Sequence, residues 1–257
     1  MKILAITNQK GGVGKTTTAV NLAAGLAAQG SRVMLIDLDP QGNATTGCGI
    51  TKKEALPTVY QLLLGIAGLR EVCLKTDFGF ELLPANRELA GAEVELIEIE
   101  RREYRLRDAL ASSHASYDFV LIDCPPALNM LTVNGLVAAD AVLIPMQCEY
   151  YALEGLSDLV ETLRKVRAHL NSKLEIEGLL RTMYNPQSTL TQQVSAELER
   201  HFGDKVYHTI VPRNVRLAEA PSYGKPVMAF DKNSKGAQSY MSLAEEILAR
   251  SQRGKTA

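Results

Sequence analysis

No tryptophan occurs in the 257 residues, and aromatic side chains of all kinds make up only 5%. A stacking platform for single-stranded nucleic acid therefore has little to be built from. Cysteine is also scarce: Cys48, Cys73, Cys124 and Cys148 stand far apart with no Cys-x-x-Cys pair. That spacing argues against a zinc or iron–sulfur site held by one chain. No apolar run reaches the roughly eighteen residues that mark a transmembrane helix. The chain opens on the strand-like Ile3-Leu4-Ala5-Ile6 rather than on a signal-peptide pattern. A strong charge of either sign is missing too. With a formal net charge of −1, binding to DNA has to come from a local patch of Lys and Arg. Internal repeats, low-complexity tracts and Pro/Ser-rich linkers are absent. What remains is the expectation of a cytoplasmic protein folded as one domain over residues 1–257.

What is present is ample core material, 46% hydrophobic, arranged as short apolar runs alternating with helical periods. Strands are expected at Lys2–Thr7, Arg32–Asp37, Phe80–Leu83, Phe119–Asp123, Ala141–Pro145, Leu174–Met183 and Val206–Val211. Helices are expected between them, among others at Thr16–Gln29 and Leu153–Leu170. In the latter, Leu153, Leu156, Leu159, Val160, Leu163, Val166 and Leu170 recur at the spacing of one helix face, a core stripe. The strands read as continuous rather than alternating apolar runs, as strands covered on both faces do. The fold class is therefore α/β, a mostly parallel twisted sheet with helices on both faces. Ligands of such sheets sit beyond the carboxyl ends of the strands.

Lys10-Gly11-Gly12-Val13-Gly14-Lys15-Thr16-Thr17 follows the first strand and opens the first helix. Its glycines let successive N–H groups converge on phosphate oxygens at a helix N-terminus, whose dipole favours anions. Lys15 should reach the β and γ phosphates of ATP, and the Thr16 hydroxyl should bind Mg²⁺. The loop departs from the usual pattern in having Gln9 where a glycine is expected and a second lysine, Lys10, beside it. Two further strands end in acids. Asp123 closes Phe119-Val120-Leu121-Ile122-Asp123, where it can accept from a water on Mg²⁺. The other strand ends Asp37-Leu38-Asp39-Pro40-Gln41-Gly42-Asn43, placing two acids at a carboxyl end. One can orient or deprotonate the attacking water while the other orders the magnesium shell. The same residues are good turn chemistry, so capping a turn is their plainer role.

The Lys-Gly-Gly-x-Gly-Lys-Thr loop and the Asp-x-Asp-Pro-Gln-Gly-Asn string resemble the deviant Walker A ATPases of the ParA/MinD family. Glu149-Tyr150-Tyr151-Ala152-Leu153-Glu154-Gly155 and Pro212-Arg213-Asn214-Val215-Arg216-Leu217-Ala218-Glu219-Ala220-Pro221-Ser222 are similar to its chromosomal, Soj-like branch. The resemblance runs nearly end to end. It implies that Lys10 crosses a dimer interface to the partner subunit's phosphates and that Asp39 is critical for hydrolysis. It also implies that Pro212 and Asn214 line an adenine pocket. A homodimer with ATP, a ParB/Spo0J-type partner and non-specific double-stranded DNA are the implied partners, with association to the nucleoid.

Two relatives fit poorly. MinD ends in a basic amphipathic membrane helix, whereas Ala249–Ala257 is basic without apolar anchors, so no membrane partner is expected. The nitrogenase iron protein needs two cysteines in other surroundings, and Cys124 and Cys148 read as buried thiols. With the loop at residue 10, no helix-turn-helix domain is expected ahead of it.

Charge is uneven along the chain. Residues 205–235 hold six bases (Lys205, Arg213, Arg216, Lys225, Lys232 and Lys235) against Glu219 and Asp231. Arg216 is the leading candidate for a DNA contact, then Lys225, followed by Arg213, Lys232 and Lys235. Relatives often carry an arginine after Met-Tyr/Phe-Asp, but Gln187 occupies that stretch here, which puts one familiar contact in doubt. The expected function is an ATPase that partitions chromosomal or plasmid DNA. Alternatives are an ATP-switched module acting on replication initiation, or the positioning of another cargo.

Overall fold

A computed structural model describes residues 1–111 and 117–253, and the expected basic tail from residue 254 onward lies outside the described residues. The chain runs β1 (Lys2–Ile6), α1 (Lys15–Ala28), β2 (Val33–Asp37), α2 (Asn43–Gly47), α3 (Val59–Leu64) and α4 (Leu69–Val72). It continues through β3 (Leu74–Lys75), β4 (Glu81–Leu83), α5 (Leu89–Glu95), α6 (Arg105–Ala111), β5 (Phe119–Asp123), α7 (Met130–Ala138) and β6 (Ala141–Gln147). Then follow α8 (Ala152–His169), β7 (Glu175–Tyr184), α9 (Thr189–Phe202), β8 (Val206–Pro212), α10 (Val215–Glu219), α11 (Val227–Phe230) and α12 (Lys235–Arg253).

The sheet order is β3-β4-β2-β5-β1-β6-β7-β8, parallel throughout except for the β3–β4 pair. Alternation explains why the strands read as continuous apolar runs. Along β1, Ile3 and Ala5 enter one core layer while Leu4 and Ile6 enter the other. The first layer is covered by α3 and α5–α9, through residues such as Leu63, Leu131 and Leu159; the second by α1 and α12, through Leu22, Leu26, Leu243 and Ile247. Each buried leucine or isoleucine contributes about 1.5–3 kcal/mol relative to exposure, so neither face tolerates a one-residue slip.

The α8 stripe is core at Leu156, Leu159, Leu163 and Val166, while Leu153, Val160 and Leu170 pack half-buried at its border. Strand ends differ from expectation by a residue or two: Arg32 and Leu174 precede β2 and β7, while β6 runs on to Gln147. The antiparallel edge strand β3 is a feature the periodicity did not announce.

β1 lies between β5 and β6. Since α1 carries the chain to β2 on one side and α7 carries it to β6 on the other, β1 is where the sheet order reverses. A crevice opens there beyond the carboxyl ends, and the phosphate-loop residues follow β1 into it.

Candidate functional site

Gly12 and Gly14 have φ of +74° and +89°, backbone that residues with a Cβ rarely adopt. They turn the chain so that α1 begins at Lys15 with no side-chain cap and no acid in its first turn. Its leading amides are left for an anion. Three contacts, two of them buried, hold the loop in place. The Thr182 hydroxyl, from β7, donates to the Val13 carbonyl at 2.8 Å. Asn8 donates to the Pro145 carbonyl at 2.9 Å, and its own side-chain oxygen receives the Lys10 amide at 3.0 Å. Thr16 and Thr17 sit half-buried at the start of α1.

The two lysines of the loop part company. Lys15 is buried, and its ammonium donates to the Lys10 carbonyl at 3.1 Å. Burial pulls its pKa down, against the attraction of Asp123 and Asp39. Lys10 is exposed and pairs at 2.6 Å with Glu149, an exposed residue after β6.

Asp37 and Asp123 are register partners on adjacent strands, and both are fully buried. Asp37 is well satisfied: Oδ2 accepts from the Thr45 amide at 2.8 Å and the Thr45 hydroxyl at 2.7 Å, and Oδ1 from the Asp39 amide at 3.2 Å. Burial still pushes its pKa up to about 6. Asp123 is not satisfied. Neither of its oxygens has a well-formed hydrogen bond among the described residues. Burial, then the Asp37 charge, push its pKa well up, while the neighbouring Thr16 hydroxyl and the Lys15 charge oppose this. A buried carboxylate without a donor is costly, and a divalent cation is the partner that removes the cost. The residues present therefore fit magnesium.

Asp39 is half-buried, and its Oδ1 accepts from the Gln41 amide at 2.9 Å while Gly42 N–H donates to its carbonyl at 2.8 Å. The plain turn role is thus met. Gly42 is required there: φ is +60°, and a Cβ would lie 2.6 Å from the Ala85 carbonyl oxygen.

On the far side of the loop, a cleft of about 200 Å³ is lined by Gly14, Thr17, Thr182, Met183, Pro212 and Asn214, among others. Asn214 caps α10, accepting from the Arg216 amide at 3.1 Å. Met183 holds a left-handed φ of +48° on the cleft wall, a strain of about 1–3 kcal/mol for a non-glycine residue. Arg213 also lines this cleft, which sets it apart from the other expected DNA contacts.

Arg216, the leading expected DNA contact, pairs with Glu219 at 2.8 Å and with Asp231 at 3.3 Å. Its charge is largely answered within the chain. Lys225, Lys232 and Lys235 are exposed, and among the described residues none of them has an ion-pair partner. Gln187 lies exposed on the turn after β7, its amide donating to Asn185 at 3.1 Å.

Sequence reading missed Thr182, Thr45 and Asn8 as fasteners of the site, and Glu149 as the partner of Lys10. Thr182 had a signal, since it is a polar residue at the carboxyl end of an apolar strand. No helix among the described residues is long and apolar enough to cross a membrane.

A family model described as an AAA domain matches residues 1–176. The chain is 52% identical to the chromosome partitioning protein ParA of Caulobacter vibrioides, over 97% of this chain and 95% of that one. It is 53% identical to the sporulation initiation inhibitor protein Soj of Bacillus subtilis, over 96% and 98%. Among solved structures, the cobyrinic acid a,c-diamide synthase of Mycobacterium smegmatis with bound ATP analog and magnesium superposes with a TM-score of 0.87. It is 37% identical, with 99% of this chain and 97% of that one covered.

Proposed function

The chain belongs to the ParA/MinD family of P-loop ATPases, in its Soj-like branch, and on that premise we propose that it partitions chromosomal or plasmid DNA as an ATP-gated dimer. It is an ATPase that uses ATP with Mg²⁺. In this reading, the ATP-bound homodimer holds double-stranded DNA without sequence preference, on the nucleoid. A ParB/Spo0J-type partner stimulates hydrolysis to ADP and phosphate, and the dimer then opens.

The observation that carries the proposal is the division of the two loop lysines. Lys15 is buried within its own subunit's site, while Lys10 stands exposed at its mouth, restrained by the Glu149 pair. An exposed pair of this kind contributes about 0–1 kcal/mol, so Lys10 exchanges Glu149 for a partner subunit's phosphates at small cost. Gly11, Gly12, Val13, Gly14 and Thr17 supply backbone and side-chain donors for the phosphates. Pro212 and Asn214 form the outer wall for the base. Thr16 binds magnesium, with Asp123 and Asp37 reaching it through water; when bound, the ion neutralises charge on the phosphates. Asp39 releases the Gln41 amide and orients the attacking water.

A switch of this type requires ATP to favour the dimer over the monomer differentially. Slow intrinsic hydrolysis is therefore expected, leaving the rate to the partner. The decisive variant is Asp39→Ala, followed by light scattering and phosphate release. It should bind ATP, dimerise and stall, with hydrolysis down on the order of 100-fold.

A second reading is favoured by the Bacillus relative, which is named for inhibiting sporulation initiation. There the ATP dimer would act as a regulatory module, for example on replication initiation, and turnover would be dispensable. Full DNA segregation by Asp39→Ala cells would overturn the partition reading in its favour. Cargo other than DNA would appear as retained ATP-dependent dimerisation with no affinity for a duplex.

A further inference from the structure

Beside the exposed lysines lies an open groove that the nucleotide site does not use. It has a volume of about 480 Å³ and is lined by Thr46, Thr51, Lys52, Lys53, Ser222 and Tyr223, among others. One wall is the end of α2 and the loop after it; the other is the turn Ala220–Tyr223 between α10 and α11. The walls meet backbone to backbone at Gly49 and Gly224, which have φ of +79° and +62°. A Cβ on Gly224 would lie 2.7 Å from the Gly49 Cα, and one on Gly49 would lie 2.9 Å from the Gly224 carbonyl oxygen. Two loops far apart in sequence are thus joined at positions that only glycine fits.

The groove's chemistry is one-sided. Its lining offers hydroxyls and ammonium groups and no carboxylate. Lys53 stands exposed on one wall and Lys225 follows the other, and among the described residues neither has an ion-pair partner. Of the nearby acids, Glu219 and Asp231 are engaged by Arg216, which leaves Glu54, next to Lys53 in sequence. Tyr223 is 64% exposed, yet its ring is held against Phe230 with centroids 4.8 Å apart. The Thr46 and Ser222 hydroxyls and the Lys52 ammonium donate to the Gly42, Glu219 and Gln41 carbonyls, which leaves Lys53, Lys225, Thr51 and Tyr223 to face a phosphate carried on a polymer that lies across the surface.

We propose that this groove seats a backbone phosphodiester of double-stranded DNA, with Lys53 and Lys225 as the neutralising pair and the hydroxyls of Thr51 and Tyr223 as donors. The inference rests on the reading that the ATP dimer binds DNA, and it adds to that reading a second wall outside residues 205–235. Both walls continue into the nucleotide site. Lys52 donates to the Gln41 carbonyl, and its stem packs over Gly42. Thr46 on the same wall follows Thr45, which holds Asp37. The other wall begins at α10, whose cap, Asn214, lines the base cleft. Both walls of the groove thus share residues or direct contacts with the nucleotide site.

The test is fluorescence anisotropy of a random-sequence duplex with parent and Lys53→Gln proteins, with ATP, over a range of salt. Light scattering on the same samples reports the dimer. Lys53→Gln should keep the ATP-dependent dimer and bind about eightfold more weakly at 0.1 M salt, with the salt slope reduced by about one per groove. An unchanged affinity and slope with a binding parent overturns the groove and leaves the DNA reading standing. A parent that dimerises but does not bind the duplex overturns both. Competition by inorganic phosphate at constant ionic strength, lost in Lys53→Gln, would make this a site for free phosphate and overturn the assignment to DNA.

Discussion

The buried carboxyl edge of the sheet and the exposed surface around it solve opposite problems. At the edge, Asp37 and Asp123 are buried and fixed by strand register, and Lys15 is buried at the start of α1, so charge is held in place at the cost of desolvation. On the outer surface, Lys10, Lys53, Lys225, Lys232 and Lys235 are exposed, the first four on loops and turns and Lys235 at the start of α12. Their positions are cheap to change, and their strength depends on salt. The difference separates two jobs. Buried charge waits for one small ligand of defined geometry, while exposed charge waits for a large partner.

The widest effect should come from removing the one outer lysine that belongs to the inner loop. Lys10→Ala should still bind ATP but remain monomeric by light scattering, and ATP-dependent DNA binding should disappear with the dimer. An intact ATP dimer in this variant would erase the distinction between the two lysines.

The next effect is a pH dependence confined to the buried edge. Burial raises the Asp37 carboxyl from an ordinary 3.8 to about 6, and Asp123 moves in the same direction. Such groups hold protons more tightly folded than unfolded, so their stabilising protonation is lost as pH rises across that interval. Urea midpoints in chelator should fall between pH 4 and pH 6. Asp37→Asn should flatten that fall, and a flat profile in the parent would show that the edge is not desolvated as described.

The smallest effect should come from Glu149→Gln, which frees Lys10 from its exposed pair. Because that pair contributes at most about 1 kcal/mol, dimerisation by ATP should strengthen by up to about fivefold. A weakened dimer would instead place Glu149 within the interface.

The buried edge was legible in the sequence because a strand buried on both faces announces itself as an apolar run, and an acid at its end stands out. β1, β2, β5 and the loop after β1 were all found this way. β3 was not, since two residues on an antiparallel edge carry no period. The helices of residues 43–111 are four to seven residues long, too short for a stripe to emerge. Contacts between distant residues were out of reach. Lys10 meets Glu149 across 139 positions, and Thr182 meets Val13 across 169. The pairing of Arg216 with Glu219 was within reach, because the two stand at i and i+3 on a helix. Its effect on the DNA assignment became plain only when Asp231 joined them.

The single hydroxyl of Thr182 decides which parts of the nucleotide site can be altered independently. It ties the phosphate loop to β7, whose next residue, Met183, lines the cleft beside the loop. Pro212 on β8 and Asn214 at the cap of α10 line the same cleft, and Pro212 pairs with Tyr184, two residues beyond Thr182. With Pro212 and Asn214 proposed as the wall for the base, substitutions there should disturb phosphate handling less than substitutions at Met183, the residue next to Thr182.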